Sequence, residues 1–317
     1  MKDNVPQTAN IGKFEDRLQT ADGSARATVA LSNPETLWFN TGTLCNIECA
    51  SCYIASSPTN DALVYITATE VEGFLDQIEA RNWPVREIGF TGGEPFMNPQ
   101  MIEMAGAALA RGYEVLILTN AMRPMMRRSV QSGLQGLQAA YGDRLTLRIS
   151  LDHYASDLHD RERGPDSFAK TLEGMAWLRD QGVRMAVAGR AAWGISDADC
   201  RTGFAALFAA HGFDIDADDP SRCVLFPEMD ETVEVPEITT ECWGILNKSP
   251  DEVMCASSRM VVKRKGAARP VVLACTLLAY DAEFELGETL AEAETDVALN
   301  HPHCAKFCVL GGASCSA

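Results

Sequence analysis

Positive charge is scarce in this sequence of 317 residues, which has 27 lysines and arginines against 44 aspartates and glutamates and a net charge of -17. So little positive charge argues against binding to nucleic acid or to anionic membranes. Long apolar runs are also missing, since no segment approaches the roughly 18 apolar residues of a membrane span and the chain starts without a signal-peptide pattern. We therefore expect a cytoplasmic protein that has neither nucleic acid nor a membrane among its partners.

Eleven cysteines contrast with these absences. Reducing compartments keep thiols free, so cysteines in a chain without a leader indicate metal or redox use rather than disulfides. Cys45, Cys49 and Cys52 fall within one short stretch, TGTLCNIECASCY, which offers no fourth thiol. A structural zinc site uses four ligands, usually in two close pairs, whereas an iron-sulfur cluster can leave one iron open for a substrate or cofactor. The spacing favours such a cluster, with a zinc loop or incidental buried cysteines as the alternatives.

Short apolar runs alternate with helical patterns from residue 37 onward. The strands expected from them are 37–40, 87–90, 115–120, 145–152, 184–189 and 223–226. Helices are expected after a capping box at Thr69 and Glu72, from Asn98-Pro99 to Leu109, and near 125–140, 167–181 and 197–210. Six strands with helices between them predict an α/β fold, a partial (β/α)6 TIM-like barrel with a parallel sheet.

Each unusual polar motif follows one of these strands. The cysteine motif follows the first strand and Thr91-Gly-Gly-Glu-Pro95 the second, Asn120 ends the third, Ser150 and Asp152 end the fourth, and Arg190 lies at the end of the fifth. Parallel barrels build their sites at the carboxyl ends of the strands. We therefore expect these motifs to share one site.

TLCNIECASCY followed by FTGGEPFMNP resembles the radical S-adenosylmethionine (SAM) superfamily, and the resemblance covers roughly residues 36–215. It implies that the three cysteines bind a 4Fe-4S cluster whose open iron chelates the amino and carboxylate groups of SAM. Reductive cleavage of SAM then gives a 5'-deoxyadenosyl radical, which takes a hydrogen atom from the substrate. One departure is Ser51, because the family often has an aromatic residue before the third cysteine, whereas here Tyr53 follows it.

The resemblance also implies the contacts with SAM. Gly92 and Gly93 leave room for close backbone approach, and their motif, with Glu94, is implied to contact the methionine amino group. The segment HDRERG at 159–164 is similar to the family's HDxxRG segment, whose arginine, here Arg163, commonly meets the methionine carboxylate. The alternative is an ordinary exposed arginine in a loop. The residues assigned to cofactor binding are Tyr53, Thr91, Gly92, Gly93, Glu94, Pro95, Asn120, Ser150, Asp152, Arg163 and Arg190.

Six of the eleven cysteines lie in the last quarter of the chain, where helix and strand periodicity fade. Cys255 and Cys275 flank two β-branched runs around a basic turn with a glycine, which is a hairpin pattern. With the following CAKFCVLGGASC, this region resembles the twitch domain or a reduced SPASM domain, which implies an auxiliary 4Fe-4S cluster. The implied ligands are Cys255, Cys275, Cys304 and Cys308, with Cys315 as the rival for one of the last two. A mixed zinc site with His301 and His303 is the alternative, and Cys242 is either a ligand or a free thiol.

The expected organisation is an amino-terminal extension at 1–35, a radical SAM barrel at 36–240 and a SPASM/twitch-like auxiliary domain at 241–317. The resemblance implies an oxidoreductase-type enzyme acting on a small molecule or a peptide, by oxidation, bond formation or sulfur insertion. The auxiliary cluster would accept an electron or bind the substrate, and a flavodoxin or a ferredoxin-type protein would be the reductant.

Two other functions remain open from the sequence. One is a peptide maturase that forms a thioether or carbon-carbon crosslink. Residues 1–35 are too short and irregular for a leader-binding winged helix, which favours a small molecule or a peptide delivered by a separate protein. The other is a non-catalytic iron-sulfur electron carrier or assembly partner, although such a carrier needs no nucleotide-sized pocket. Deletion of the tail should leave SAM cleavage partly intact if the second cluster serves only the substrate.

Overall fold

The computed structural model describes residues 12–227 and 233–311. The strands in these ranges are β1 (Thr28–Val29), β2 (Thr36–Asn40), β3 (Glu87–Thr91), β4 (Glu114–Thr119), β5 (Leu145–Ser150), β6 (Arg184–Ala191), β7 (Cys223–Pro227), β8 (Ser258–Val262), β9 (Val271–Leu273), β10 (Glu285–Gly287) and β11 (Val297–Ala298). The α-helices are α1 (Ala68–Arg81), α2 (Met101–Ala110), α3 (Arg128–Tyr141), α4 (Ser156–Arg163), α5 (Ser167–Asp180), α6 (Asp197–His211) and α7 (Cys242–Leu246). A π-helical turn covers Cys304–Leu310.

The six strands β2 to β7 lie side by side in chain order, and every neighbouring pair among them is parallel. Parallel neighbours need a crossover connection, and each connection between them contains at least one helix. In the part of the chain that the structure describes, β7 and β10 form the two ends of a nine-stranded sheet, so the sheet is open. The predicted α/β fold with six parallel strands is confirmed.

Side chains of β2 alternate between two apolar clusters. Leu37 and Phe39 enter the large core that the helices share, whereas Trp38 enters a smaller cluster on the other face. Successive side chains of a strand point to opposite faces of the sheet, which accounts for this division. The strand is buried on both faces, as in other parallel sheets, and its carboxyl end leads directly into the cysteine motif.

Helix α1 begins with a capping box, two residues earlier than the sequence suggested. The Thr67 hydroxyl accepts from the Glu70 backbone N–H, and the Glu70 carboxylate accepts from the Thr67 backbone N–H. The expected box at Thr69 and Glu72 was wrong, since both pairs fit the same pattern and only packing separates them.

Helix α4 was not expected from the sequence. It carries the motif residues of 159–163, which places Arg163 at the last turn of a helix rather than in a loop. The segment SDLHDRER has one aliphatic residue, so it gives no apolar period by which a helix could be recognised.

The predicted hairpin in the tail is confirmed, since β8 and β9 pair antiparallel. An unexpected feature is that β8 also pairs parallel with β2, so the hairpin continues the sheet of the barrel. The tail has its own apolar core, which includes Val253, Leu277 and Phe307. The barrel and the tail are therefore joined through hydrogen-bonded strands.

Part of the amino-terminal segment belongs structurally with this tail. Strand β1 pairs antiparallel with β11, and Ala27 and Val29 are buried in the apolar core of the tail. Arg26 reinforces the connection through a buried ion pair with Glu237, whose atoms lie 2.5 Å apart. Among the described helices, none combines the length and the apolar composition needed to cross a membrane.

Candidate functional site

One cavity opens at the carboxyl ends of the barrel strands, between the cysteine motif and the tail. Twelve residues singled out in the sequence line it together: Cys45, Cys49, Cys52, Tyr53, Thr91, Gly92, Gly93, Asn120, Ser150, Asp152, Arg163 and Arg190. The structure thus brings the strand-end motifs together around one cavity. Glu94 and Pro95 are buried next to the cavity and are not part of its lining.

The three thiols of the cysteine motif lie in a partly dry environment. Cys45 is buried and Cys49 and Cys52 are partly buried, and all three are free of disulfides. Burial raises the pKa of the Cys45 thiol to about 12 and raises that of Cys49 as well. Buried thiolates need positive charge to be stable, and iron supplies it when thiolates act as ligands. The donor set therefore suits an iron-sulfur cluster.

Two N–H groups point at the sulfur atoms of this motif. The Ser56 backbone N–H donates to Cys52 Sγ at 3.3 Å, and Asn120 Nδ2 donates to Cys45 Sγ at 3.9 Å. Hydrogen bonds to the sulfurs stabilise thiolates and tune the potential of a bound cluster. Asn120 thus has a place at the sulfur side of the cavity.

The two glycines of the TGGEP motif allow it to pack on the cysteine motif. A Cβ on Gly93 would lie 2.3 Å from the Leu44 carbonyl oxygen, and one on Gly92, whose φ is +141°, would lie 2.6 Å from the Gly42 oxygen. The backbone N–H of Gly93 donates to Gly42, and that of Glu94 to Leu44. Side chains at these positions would push the two motifs apart.

Glu94 lies outside the lining of the cavity, where hydrogen bonds hold its buried carboxylate. Its carboxylate accepts hydrogen bonds from the Thr119 hydroxyl at 2.9 Å and from the backbone N–H groups of Asn120 and Phe96 at 2.9 and 3.2 Å. Burial raises its pKa to about 7, although these hydrogen bonds favour the ionised form. Glu94 therefore connects the ends of β3 and β4 beneath the cavity.

A charged network forms the opposite side of the cavity. Arg163 donates from Nε and Nη2 to the two oxygens of Asp152, and Arg190 donates from Nε to Asp152 Oδ1 at 3.2 Å. Burial alone would raise the pKa of Asp152, but the positive charges of Arg163 and Arg190 hold it below its ordinary value. The alternative of an exposed Arg163 is wrong, because its side chain is 14% exposed and paired.

Glu162 is a residue of this site that the sequence did not indicate. Its carboxylate accepts from the Ser51 hydroxyl at 2.5 Å and from the Ser51 backbone N–H at 2.8 Å. Arg190 donates to the Ser51 carbonyl and lies 3.5 Å from Glu162. Ser51, which stands where the family often has an aromatic residue, thereby anchors the cysteine motif to α4 and β6.

A second cavity lies inside the tail. The four predicted auxiliary ligands, Cys255, Cys275, Cys304 and Cys308, line it together with His303. Burial raises the pKa of Cys255 to about 11 and that of Cys304 well above its ordinary value. Cys315 lies outside the described residues. Cys242 is not in the lining, and its sulfur accepts from the Thr239 backbone N–H.

These four thiols are the donor type that iron-sulfur clusters use, and they surround an apolar space. Within residues 12–227 and 233–311, no three Cys, His, Asp or Glu side chains converge tightly enough to hold one metal ion. A four-iron cluster is larger than a single metal ion, so the thiols that hold it lie farther apart than the ligands of one ion.

Leu277 separates the two cavities and contributes to the lining of both. On the tail side, the first cavity is closed by apolar side chains, and the rings of Phe226 and Phe307 stack there with centroids 5.5 Å apart. The cavity therefore has a polar side at the strand ends and an apolar side at the tail.

Residues 39–189 match the family described as the Radical SAM superfamily. The antilisterial bacteriocin subtilosin biosynthesis protein AlbA of Bacillus subtilis (strain 168) is 30% identical over 194 residues, which cover 59% of this chain and 41% of AlbA. The AdoMet-dependent heme synthase of Methanosarcina barkeri is 30% identical over 136 residues, covering 43% of this chain and 36% of the synthase. The chain thus spans about two fifths of the length of these relatives.

The fold is shared with a solved structure. Streptococcus suis SuiB bound to S-adenosylmethionine matches with a TM-score of 0.58 and 14% sequence identity, over 81% of this chain and 63% of SuiB. At this identity the match concerns the fold. It extends beyond the six parallel strands, since 81% of the chain is more than residues 36–227 contain.

Proposed function

We propose that this chain, in which residues 39–189 form a radical SAM domain, is an enzyme that cleaves SAM reductively and abstracts a hydrogen atom from a peptide substrate. The observation that carries the proposal is the common cavity, in which three cysteines of one motif meet polar residues from the ends of four parallel strands. An electron carrier would not need this cavity.

Cys45, Cys49 and Cys52 would hold the first 4Fe-4S cluster. When bound, this cluster supplies the electron that cleaves SAM, and the 5'-deoxyadenosyl radical released removes hydrogen from the substrate. The N–H groups of Ser56 and Asn120 stabilise the thiolates. The protein thus contributes ligands, hydrogen bonds to sulfur and a partly dry pocket.

The methionine part of SAM carries an amino group and a carboxylate, and the cavity offers partners for both. The backbone of Thr91, Gly92 and Gly93 lines one side and can accept from the amino group. Arg163 and Ser150 line the other side and can donate to the carboxylate. Glu94 then holds the motif in place through its bonds to β4 rather than touching SAM. Tyr53 lies in the lining of the cavity, and this residue is 41% exposed.

Cys255, Cys275, Cys304 and Cys308 would hold the auxiliary 4Fe-4S cluster. Four protein thiolates leave no iron open, and such a cluster suits electron transfer better than substrate binding. Such a cluster would supply an electron acceptor, which is what a net oxidation or bond closure requires. A flavodoxin or a ferredoxin-type protein would provide the reducing electron for the first cluster.

A peptide is the preferred substrate class because the name of AlbA refers to bacteriocin biosynthesis. The apolar side of the cavity, at Phe226, Leu277 and Phe307, suits a substrate whose reacting carbon lies in an apolar side chain. A small molecule is the second candidate, favoured by the match to a heme synthase.

Anaerobic iron and sulfide analysis with Mössbauer spectroscopy tests the proposal. We expect about eight irons in the wild type and about four in a Cys45→Ala, Cys49→Ala, Cys52→Ala variant. Wild type should convert SAM to 5'-deoxyadenosine with dithionite, and the variant should not. Replacement of the buried core cysteines, Cys200→Ala and Cys223→Ala, is the matched control and should leave the iron content unchanged. Loss of all iron in the triple variant, or zinc in the tail, would contradict the two-cluster assignment.

A further inference from the structure

Arg259 is a buried arginine whose hydrogen-bond acceptors among the described residues are all backbone carbonyl groups. It lies on β8, four residues after Cys255, and is 1% exposed. Its Nη1 donates to the carbonyls of Cys255 at 2.6 Å and Ser258 at 2.9 Å, its Nε to Ala293 at 2.9 Å, and its Nη2 to Thr295 at 3.4 Å. Among the described residues, none forms an ion pair with it.

A buried arginine of this kind needs an explanation. Taking a charge out of water costs several kcal/mol unless an opposite charge repays it, and carbonyl dipoles repay only a part. The acidic residue Asp296 lies on the neighbouring segment, but it is exposed to solvent and makes no ion pair here. Arg259 is bonded to the carbonyl of Cys255, one of the four residues that would hold the auxiliary cluster, and four thiolate ligands would bring negative charge there.

The hydrogen bonds of Arg259 also hold two walls of the tail cavity together. The Cys255 carbonyl belongs to the turn that carries one predicted ligand. The Ala293 and Thr295 carbonyls belong to the segment that leads into Val297, which lines the same cavity. One guanidinium therefore fixes the turn of Cys255 against the opposite wall.

We propose that Arg259 is a positioning residue for the auxiliary cluster and that its fixed positive charge raises the reduction potential of that cluster. The inference rests on the proposed function, because it requires the second cluster. Reduction adds one electron and makes the cluster more negative, so a nearby buried cation stabilises the reduced form. Arg259 thereby makes the auxiliary cluster a better acceptor for an electron from the substrate.

Redox titration followed by electron paramagnetic resonance tests the inference. The background is the full-length Cys45→Ala, Cys49→Ala, Cys52→Ala variant, in which the auxiliary cluster is the only one expected. Arg259→Met removes the charge and should lower the equilibrium constant for one-electron reduction of the auxiliary cluster at least tenfold. This corresponds to a reduction potential that is lower by about 59 mV. Arg259→Lys keeps the charge and should lower it by less.

Arg269→Met is the matched control. It removes the same charge from the exposed hairpin turn, where the side chain is 76% exposed and water and salt screen it, so the potential should not move. An unchanged potential in Arg259→Met with its iron intact would overturn the inference.

If Arg259→Met loses iron, Arg259→Gln replaces it, since an amide keeps donors for the carbonyls without the charge. If both neutral variants lose iron but Arg259→Lys retains it, the charge is needed to hold the cluster, which supports the inference. Loss of iron in all three means that the role is packing alone and overturns it. If the triple cysteine background itself holds no iron, the auxiliary cluster is refuted and the inference with it.

Discussion

Arg163 donates two hydrogen bonds to Asp152, from Nε to Oδ2 at 2.6 Å and from Nη2 to Oδ1 at 3.1 Å. The pair connects the end of α4 with the residues after β5, and both side chains face the cavity. Because two parallel N–H···O bonds fix the guanidinium plane, the charge of Arg163 is held ready for an anionic group.

Asp152→Ala should destabilise the protein by about 3 kcal/mol, because it leaves Arg163 buried without its partner. Asp152 is 4% exposed in its side chain, so water cannot replace the carboxylate. Denaturant unfolding of the cluster-free protein measures the change. Asp197→Ala breaks the ion pair with Arg201, in which the Asp197 side chain is 60% exposed, and should cost less than about 1 kcal/mol. Equal losses in the two variants would contradict the structural role of the Asp152 pair.

Glu94 should make the stability of the folded protein depend on pH. Its pKa is raised from 4.5 to about 7 in the folded state, so the folded protein binds the proton more tightly than the unfolded chain. Stability due to this group is therefore complete below about pH 4.5 and is lost as the pH rises through about 7, with at most about 1.4 kcal/mol per pH unit.

Unfolding free energies of wild type and Glu94→Gln, measured from pH 4.5 to 8, check this effect. The wild type should lose stability relative to the variant across that window. Glu103→Gln, on the exposed side of α2, is the control and should run parallel to the wild type. A constant difference between wild type and Glu94→Gln would show that the carboxylate stays ionised throughout.

Gly93→Ala should disrupt the first cluster site, because the new methyl group would lie 2.3 Å from the Leu44 carbonyl oxygen. Overpacking of this kind costs about 1 to 3 kcal/mol. We expect iron content to fall to about half, since only the auxiliary cluster should remain. Gly73→Ala, on α1 where nothing lies within 4 Å of the new methyl group, should instead stabilise the protein by about 0.5 to 1 kcal/mol. Full iron content in Gly93→Ala would show that the two motifs can separate without harm.

Glu162→Gln should loosen the cysteine motif, because the charge that holds Ser51 and faces Arg190 is removed. We expect the first cluster to be lost to a chelator several-fold faster, with the auxiliary cluster unaffected. Absorbance decay in the presence of the chelator measures both rates. Glu173→Gln, an exposed residue of α5, serves as the control. Identical rates of cluster loss in the two variants would show that Glu162 does not stabilise the cysteine motif.

The sequence predicted the barrel strands well because each is a short apolar run next to a helical pattern, as at Val115 and Leu116 in β4. It also predicted which motifs meet, since all lie at the carboxyl ends of parallel strands. Helix α4 was not predicted because its residues are almost all polar. The pairing of β8 with β2 was not predicted, because two strands more than 200 residues apart carry no local sequence pattern that indicates their pairing.

Side-chain roles were harder to predict than positions. The sequence did not indicate that Glu94 would accept hydrogen bonds from Thr119 and Asn120, because their orientation depends on how β3 and β4 align. Glu162 has no distinguishing feature in a segment with four other charged residues. Which carboxylate turns inward is decided by packing, and a single sequence does not contain that information.

The parallel pairing of β8 with β2 bears on how the tail can be studied. Removal of residues 241–317 would strip β2 of one neighbour and leave its N–H and C=O groups as a free edge, on an apolar strand with no charged residue. Exposed edges of this type add strands from other molecules, so the shortened chain should aggregate. Deletion of the tail would therefore measure SAM cleavage on an aggregating protein, and single replacements at Cys255 or Cys304 separate the two clusters without exposing β2.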